Sequence, residues 1–554
     1  LTLQGGEFNN QGTVVAQGVL NTDLNVLNNQ GGQIVAVGAA QINAKHLDNR
    51  GGQLVGQQTL SLTAQTLDNP QGTLASNQDL TIQASDQINN TNDGLILSQS
   101  GDLNISSSTI NNQDGVLQAN TGAVNLTASG LLNNQSGKIL ANSNSLQLNA
   151  QQLNNQKGVI QAHSVDVVGG DAIDNRQGQI IAIQGNLQLA QAAINNDGGK
   201  FISQQNLTVD ASSLSNQSGL IGGQEVAVSL MGHLNNKSGL VEATNSLLLS
   251  AGSTSNDSGR LRALGQTGSS AFTIKTLFNN DKGLVEVGNQ HFLLNSQALS
   301  NQQGTVRHLG DQFALNLSDV GEAGGSFLTN GILRLDLDRW LNSSELQAQQ
   351  IELKVNHFTN TASGVLRSID DLHASGNIWV NDGQIETDGA LHLSLTDSYT
   401  GKGALHSQGN LYLKSQNLEL QQGASVRSAK NVVFELGGRL LNAGALSTAG
   451  DVQILANDLD NQGALGAGQN LRIETNNLLN QGLVFSGADM ALRSNTLTNL
   501  YGDIYSLGVL TAAKDDAYTA MALLENSSGS IESGGDMRLH AATLNNRKEQ
   551  FRLN

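Results

Sequence analysis

The phrase Leu-x-Asn-x-x-Gly returns along this chain about once every 20 residues, and nothing else in the sequence limits the fold so tightly. Leu47-Asp48-Asn49 and Leu67-Asp68-Asn69 are two instances. The last asparagine of the phrase falls at 15 positions from Asn10 to Asn301, and the 14 steps between them average 20.8 residues, none shorter than 19 or longer than 24. A period of that size marks a solenoid, propeller or array, in which one repeat is one structural unit that cannot bury its apolar face alone. Between Asn301 and Asn442 the phrase nearly vanishes, surviving at Asn360, yet the gaps of 59 and 82 residues stay close to three and four periods. It resumes at Asn442, Asn461, Asn480 and Asn499 in steps of 19, then at Asn526 and Asn546. The spacing predicts one continuous array.

Inside a repeat the apolar residues alternate: Leu60, Leu62 and Ala64; Leu80, Ile82 and Ala84; Leu146, Leu148 and Ala150. Period two is the mark of a strand, and no helical spacing is sustained anywhere. A second apolar pair follows the glycine, as in Ile34-Val35, Leu54-Val55 and Ile139-Leu140, so each repeat is expected to hold two or three short strands. Glycine stands three residues after the marker asparagine in 13 of the 15 phrases. Glycine and asparagine tolerate a left-handed backbone, which predicts a corner once per turn at Asn49, Gly52, Asn69, Gly72, Asn112, Gly115, Asn134, Gly137, Asn155 and Gly158. Strand and corner without a crossing helix describe a parallel β-coil, with stacked alternate side chains inside. Stacked corner amides can each donate to one neighbour and accept from the other, although asparagine also suits turns for its own sake.

At 554 residues the chain would make about 27 coils, and a strand spacing of ~4.8 Å would stretch them to a rod on the order of 130 Å. Three stretches are distinguished: regular repeats over 1–304, degenerate repeats over 305–435, and repeats again over 436–554. The middle one holds both tryptophans, Trp340 and Trp379, with Tyr399 and Tyr412. Exposed, these four would form a recognition patch; buried, they would fill wider coils. Aromatics make up only 3% of residues, which suits a narrow core. The net charge of −18 repels phosphate backbones, so nucleic acid is not an expected partner. The chain has no cysteine, which excludes disulfides and thiol catalysis. No signal peptide opens it, and residue 1 lies inside the array, so an internal fragment and a monomer are expected.

Parallel β-coils also carry polysaccharide-cleaving chemistry, which needs carboxylates converging from neighbouring coils. The best candidates are Asp336, Asp338 and Arg339 in LRLDLDRW. Both aspartates alternate with Leu335 and Leu337, which reads as a solvated strand face. The ten histidines, from His46 to His540, show no metal-ligand spacing. No catalytic residue, metal or cofactor is expected.

The phrase Leu-x-Asn-x-x-Gly-x-Ile/Leu followed by Leu-x-Leu-x-Ala, best developed over 27–304, resembles the haemagglutinin-type repeats of the filamentous haemagglutinin family, the large exoproteins of two-partner secretion. The closing stretches YGDIYSLGVLTAAKDDAYTA and LLENSSGSIESGGDMRLHAATLNNRKEQF resemble the end of the first repeat block in contact-dependent growth inhibition toxins. That resemblance implies a right-handed β-helix, export through an outer-membrane partner barrel, and a place at the bacterial cell surface. It further implies a stalk for a distal region, beyond residue 554, that meets a target-cell receptor. A second implied role is an adhesin whose own surface binds glycan or protein. The family's amino-terminal secretion domain and any toxin domain have no counterpart in these residues.

Overall fold

Leu60, Leu62, Ala64 and Leu67 all point inward from one strand, Leu60–Asp68, while Thr63 and Gln65 are exposed. The alternation holds because successive side chains of a strand leave opposite faces. The same holds for Leu80 and Ile82 and for Leu146 and Leu148, all buried. The computed structural model describes residues 1–318 and 323–549, so the end of the closing stretch, residues 550 and 551, lies outside the described residues. It divides into two units, Leu1–Asn289 and Gln290–Asn554, and each is a parallel β-solenoid.

Each coil pairs a long strand with a short one. Leu60–Asp68 lies parallel between Ala40–Asp48 and Leu80–Asn89, with Leu62 in register with Ile42 and Ile82. The short strand Thr73–Ser76 lies between Gln53–Gly56 and Leu95–Ser98. The first unit holds 14 such short strands and the second 12 among the described residues. Where the long strand bends it can break in two, as at Val165–Val168 and Ala172–Asp174, with Gly169 at φ 71° between them. Two or three strands per coil follow from whether that bend keeps its hydrogen bonds.

The apolar pairs of the short strands divide between the two faces. Ile34, Leu54, Ile139 and Ile180 are buried, while Val35, Val55, Leu140 and Ile181 stand half-buried on the outside, in register from coil to coil. Towards the end of the first unit the same outward column turns ionic, with Arg262 held between Glu242 at 2.6 Å and Glu286 at 2.9 Å.

The corner glycine does not supply the left-handed residue. Positive φ falls one place earlier, on Gln71, Asp114, Ser136 and Lys157, at 55° to 58°. A positive φ at the third position alone is the type II pattern, and the one proline, Pro70, occupies the second position, where its fixed φ fits. Gly137 is required instead by close approach. A Cβ there would stand 2.2 Å from the carbonyl oxygen of Asn112 in the preceding coil and 2.7 Å from Oδ1 of Asn134. Gly137→Ala is therefore expected to lower stability by about 1–3 kcal/mol, and Ser136→Gly to raise it by up to about 1 kcal/mol by removing left-handed strain. Urea unfolding midpoints of the two variants check both signs.

Candidate functional site

The feature that repeats most faithfully is the corner asparagine. Asn134 donates from Nδ2 to Oδ1 of Asn155 at 2.7 Å, and Asn155 donates to Asn175 at 2.7 Å. In the first unit the chain of amides runs unbroken from Asn10 to Asn280, and all but Asn10 are 0% exposed. From Asn29 to Asn256 each Nδ2 also faces a carbonyl of its own turn and one of the next coil, as Asn155 does with Gly158 and Gln179 at 3.2 Å. The ladder thus satisfies buried backbone oxygens where the chain turns, which a side chain without two N–H groups cannot do.

The residue before the marker builds a second, outer ladder of opposite sense. Asn154 donates back to Asn133, and Asn133 back to Asn111, both at 3.0 Å. Its Oδ1 meanwhile accepts from the backbone N–H two residues on, as Asn154 does from Gln156 at 3.1 Å. A carboxylate can do the same, which explains why Asp48 and Asp174 stand at that position. The doubled asparagine of the phrase therefore has two separate causes.

In the second unit the ladder continues where the phrase fades. Asn342 donates to Asn360, and Asn360 to Asn381, both at 2.8 Å. Asn342 and Asn381 escape the phrase because Trp340 and Trp379 replace its leucine and because their corners are one residue shorter. The strand Leu372–Asn381 is followed directly by Asp382, Gly383 and the strand Gln384–Thr387. The links 382–383, 443–444, 462–463 and 481–482 contain no positive φ, so the left-handed residue is the one left out. That contraction accounts for the 19-residue steps after Asn442, and Asn-x-Gly is the signal that would have found Asn381.

Trp340, Trp379 and Tyr399 correct the expectation of an exposed patch: they are 3%, 0% and 2% exposed. They form one inward column with Phe358, one ring per coil, at the place that Leu47 and Leu67 hold in the first unit. Ring centroids are 5.7 Å apart for Trp340 and Phe358 and 4.5 Å for Phe358 and Trp379. The long strands there reach 11 residues, as in Ile332–Asn342, against nine in Leu60–Asp68. Trp379 Nε1 donates to the Val355 carbonyl at 2.9 Å, past Gly376, where a Cβ would stand 1.9 Å from that oxygen. Tyr399 closes the ladder: its hydroxyl takes the Nδ2 of Asn381 at 2.9 Å, where the next coil has Gly401 in place of asparagine. Burial holds the Tyr399 hydroxyl well above its usual range. Tyr412 alone is half-buried and faces outward; burial and then its hydrogen bond to Glu435, at 2.6 Å, push it up to about 12.

Asp336, Asp338 and Arg339 lie exposed on the outer face. Asp336 pairs with Lys354 at 3.1 Å, and Asp338 accepts from Asn356 at 3.0 Å. The two aspartates thus take separate partners in the neighbouring coil and share no proton position.

Near the end of the second unit, residues 514–520 form a loop over the outer face. Asp516 bridges Arg472 at 2.7 Å and Arg493 at 2.9 Å, and Tyr518 lies with its ring centroid 5.5 Å from the Arg493 guanidinium. The hydrogen bond from Arg472, then that from Arg493, holds Asp516 down at about 2. A depressed carboxyl contributes its stability above the unfolded value near ~4 and loses it as pH falls through the folded one. Protease cleavage of this loop is expected to accelerate as pH falls from about 4 towards about 2, and Asp516→Asn is expected to be cleaved quickly across that whole window.

The family described as haemagglutinin repeat matches residues 1–84, 64–96, 87–136, 121–191, 170–240, 359–444, 416–520 and 507–548. The tRNA nuclease CdiA of Yersinia mollaretii is 28% identical over 353 residues, covering 52% of this chain. The match spans 11% of that protein's length. No solved structure matches the chain.

Proposed function

Because the chain belongs to the haemagglutinin-repeat family, we propose that it is a stalk within a large two-partner-secretion exoprotein of the adhesin or contact-dependent-inhibition kind. It carries a distal region away from the bacterial surface after export through an outer-membrane partner barrel. One observation carries this reading: in the first unit the asparagine ladder is buried from Asn29 to Asn280 and joins coil to coil. Selection for such a ladder is selection for length and register. We divide the stalk into regular repeats over 1–304, degenerate repeats over 305–435, and a closing block over 436–554. Receptor binding and toxin activity belong to regions beyond residue 554, and no catalytic step is assigned to these residues.

The test is a large in-phase deletion in the whole exoprotein. Removing residues 30–256 joins Asn29 to Asp257 and takes out whole coils between two marker asparagines. Eleven strand spacings, roughly 50 Å, should disappear from the filament in cryo-electron tomograms. Export and distal activity should persist. Normal export with loss of target-cell attachment would instead place a binding surface inside 30–256 and overturn the stalk reading for it.

A further inference from the structure

The short strands of the first unit present an outer face that the stalk reading leaves unused. Eleven of them, from Thr13–Ala16 to Leu220–Gly223, stack in parallel register, and each turns its first and third side chains outward. Val35, Val55, Leu97, Leu140, Ile181 and Ile202 stand there half-buried. The polar positions between them are threonines and glutamines, with Lys138 and Lys200 as the charged side chains. Residues 13–223 include 13 aspartates, yet none of the described residues of this face is acidic.

Strand propensity alone does not produce such a face. Aliphatic and β-branched residues favour strands in general, but the long strands of the same coils turn Gln41, Asn43, Thr63, Gln83, Asn125 and Gln147 outward. In the second unit the equivalent short-strand positions carry Arg307, Glu345, Arg367, Glu386 and Arg427. The apolar column ends where Glu242, Arg262 and Glu286 begin their ion pairs. A contiguous apolar strip confined to one face of an otherwise polar surface marks an interface.

We propose that a second copy of this chain packs on the face, sheet against sheet. Charge favours that approach: at −18 two copies repel each other, and this face lets them meet without opposing carboxylates. Facing sheets lie ~10 Å apart, beyond the ~8 Å screening length at physiological salt, so the aspartates on the far sides of the two coils barely sense one another. Eleven strands at ~4.8 Å spacing, each four residues of ~3.3 Å long, offer about 700 Å² per copy and roughly 1,400 Å² in all. A stable interface buries about 1,200–2,000 Å². Both copies also share one coil spacing, so the rows of side chains on one sheet settle between the rows of the other along the whole contact. The same patch serves both partners, and such a contact closes at a dimer instead of growing into a fibre. This pairing departs from the monomer expected of the sequence.

Sedimentation equilibrium of the full chain tests this. A dimer with a Kd of about 10 μM or tighter is expected, and about 1 M sodium chloride should leave it unchanged or tighter, because no ion pair holds it. Val55→Lys and Ile202→Lys should each weaken it about tenfold or more, and the double variant should be monomeric at about 100 μM. These variants should keep the urea midpoint of the unaltered chain, since Lys138 and Lys200 already stand on this face. Leu248→Lys and Phe485→Lys, at outward apolar positions off the face, should leave the dimer intact. A monomer at about 100 μM, dissociation in high salt, indifference to both face substitutions, or equal loss with Leu248→Lys or Phe485→Lys would each overturn the proposal. A monomer that sediments with phosphatidylcholine vesicles would give the face to a lipid surface instead. Filament length after the 30–256 deletion is independent of these outcomes, so the stalk reading stands or falls separately.

Discussion

Deleting residues 113–155 is expected to leave a folded, β-rich protein, while deleting only residues 113–123 is expected to prevent the first unit from folding. The longer deletion joins Asn112 to Gln156 and restores a complete corner, Asn-Gln-Lys-Gly, so the ladder passes from Asn112 to Asn175 without a gap. The short strand Leu95–Ser98 then meets Val159–Ala162, and the core column keeps leucine or isoleucine at each level. Two coil interfaces are lost and nothing is left unpaired, which in a solenoid subtracts from stability without abolishing it. The shorter deletion removes the corner and the strand Val116–Ala119, which normally pairs with Leu95–Ser98 on one side and Lys138–Ala141 on the other. Both neighbours then face a gap where buried Leu117 and Ala119 stood. Lost burial of ~2–5 kcal/mol and several orphaned backbone groups at ~1–3 kcal/mol each together rival the ~5–15 kcal/mol of a whole domain. Far-ultraviolet circular dichroism and urea titration of the two deletions decide it. Equal tolerance of both would mean that the register is not set by the repeat.

Asn155→Ala is expected to cost about 3–5 kcal/mol, against about 1 kcal/mol or less for Asn154→Ala, although the two are adjacent and chemically identical. Asn155 is fully buried, donates to Asn175, Gly158 and Gln179, and accepts from Asn134. Its removal strands an amide in each adjacent coil where water cannot replace it. Asn154 is half-buried, and its bonds to Asn133 and to the Gln156 N–H can pass to solvent. Urea midpoints measure both. Similar losses at the two positions would show that the inner ladder contributes no more than the outer one.

The coil was legible from spacing because a solenoid makes every turn solve the same problem. Leu60, Leu62 and Leu67 recur as Leu80, Ile82 and Ile88, since each side chain must lie over its equivalent one strand away. Where the problem changes, so does the lettering, and local rules then fail. Trp340, Trp379 and Tyr399 could have faced outward as a patch or inward as core, and their place in the inward column with Phe358 puts them inside. Asn342 and Asn381 were invisible because Trp340 and Trp379 stand where the phrase has leucine, on top of a corner that drops the left-handed residue.

By itself, the sequence determined the strand period and the apolar face of each long strand, from neighbours one or two residues apart, and the coil length, from the recurrence of the marker asparagine. Only the tertiary structure decided why the corner glycine has no side chain, which of two adjacent asparagines is buried, and that Trp340, Trp379 and Tyr399 face inward. Those outcomes depend on atoms about 20 residues away along the chain and one strand spacing away in space. A linear pattern records that such a neighbour exists, but not the distance and direction at which it approaches.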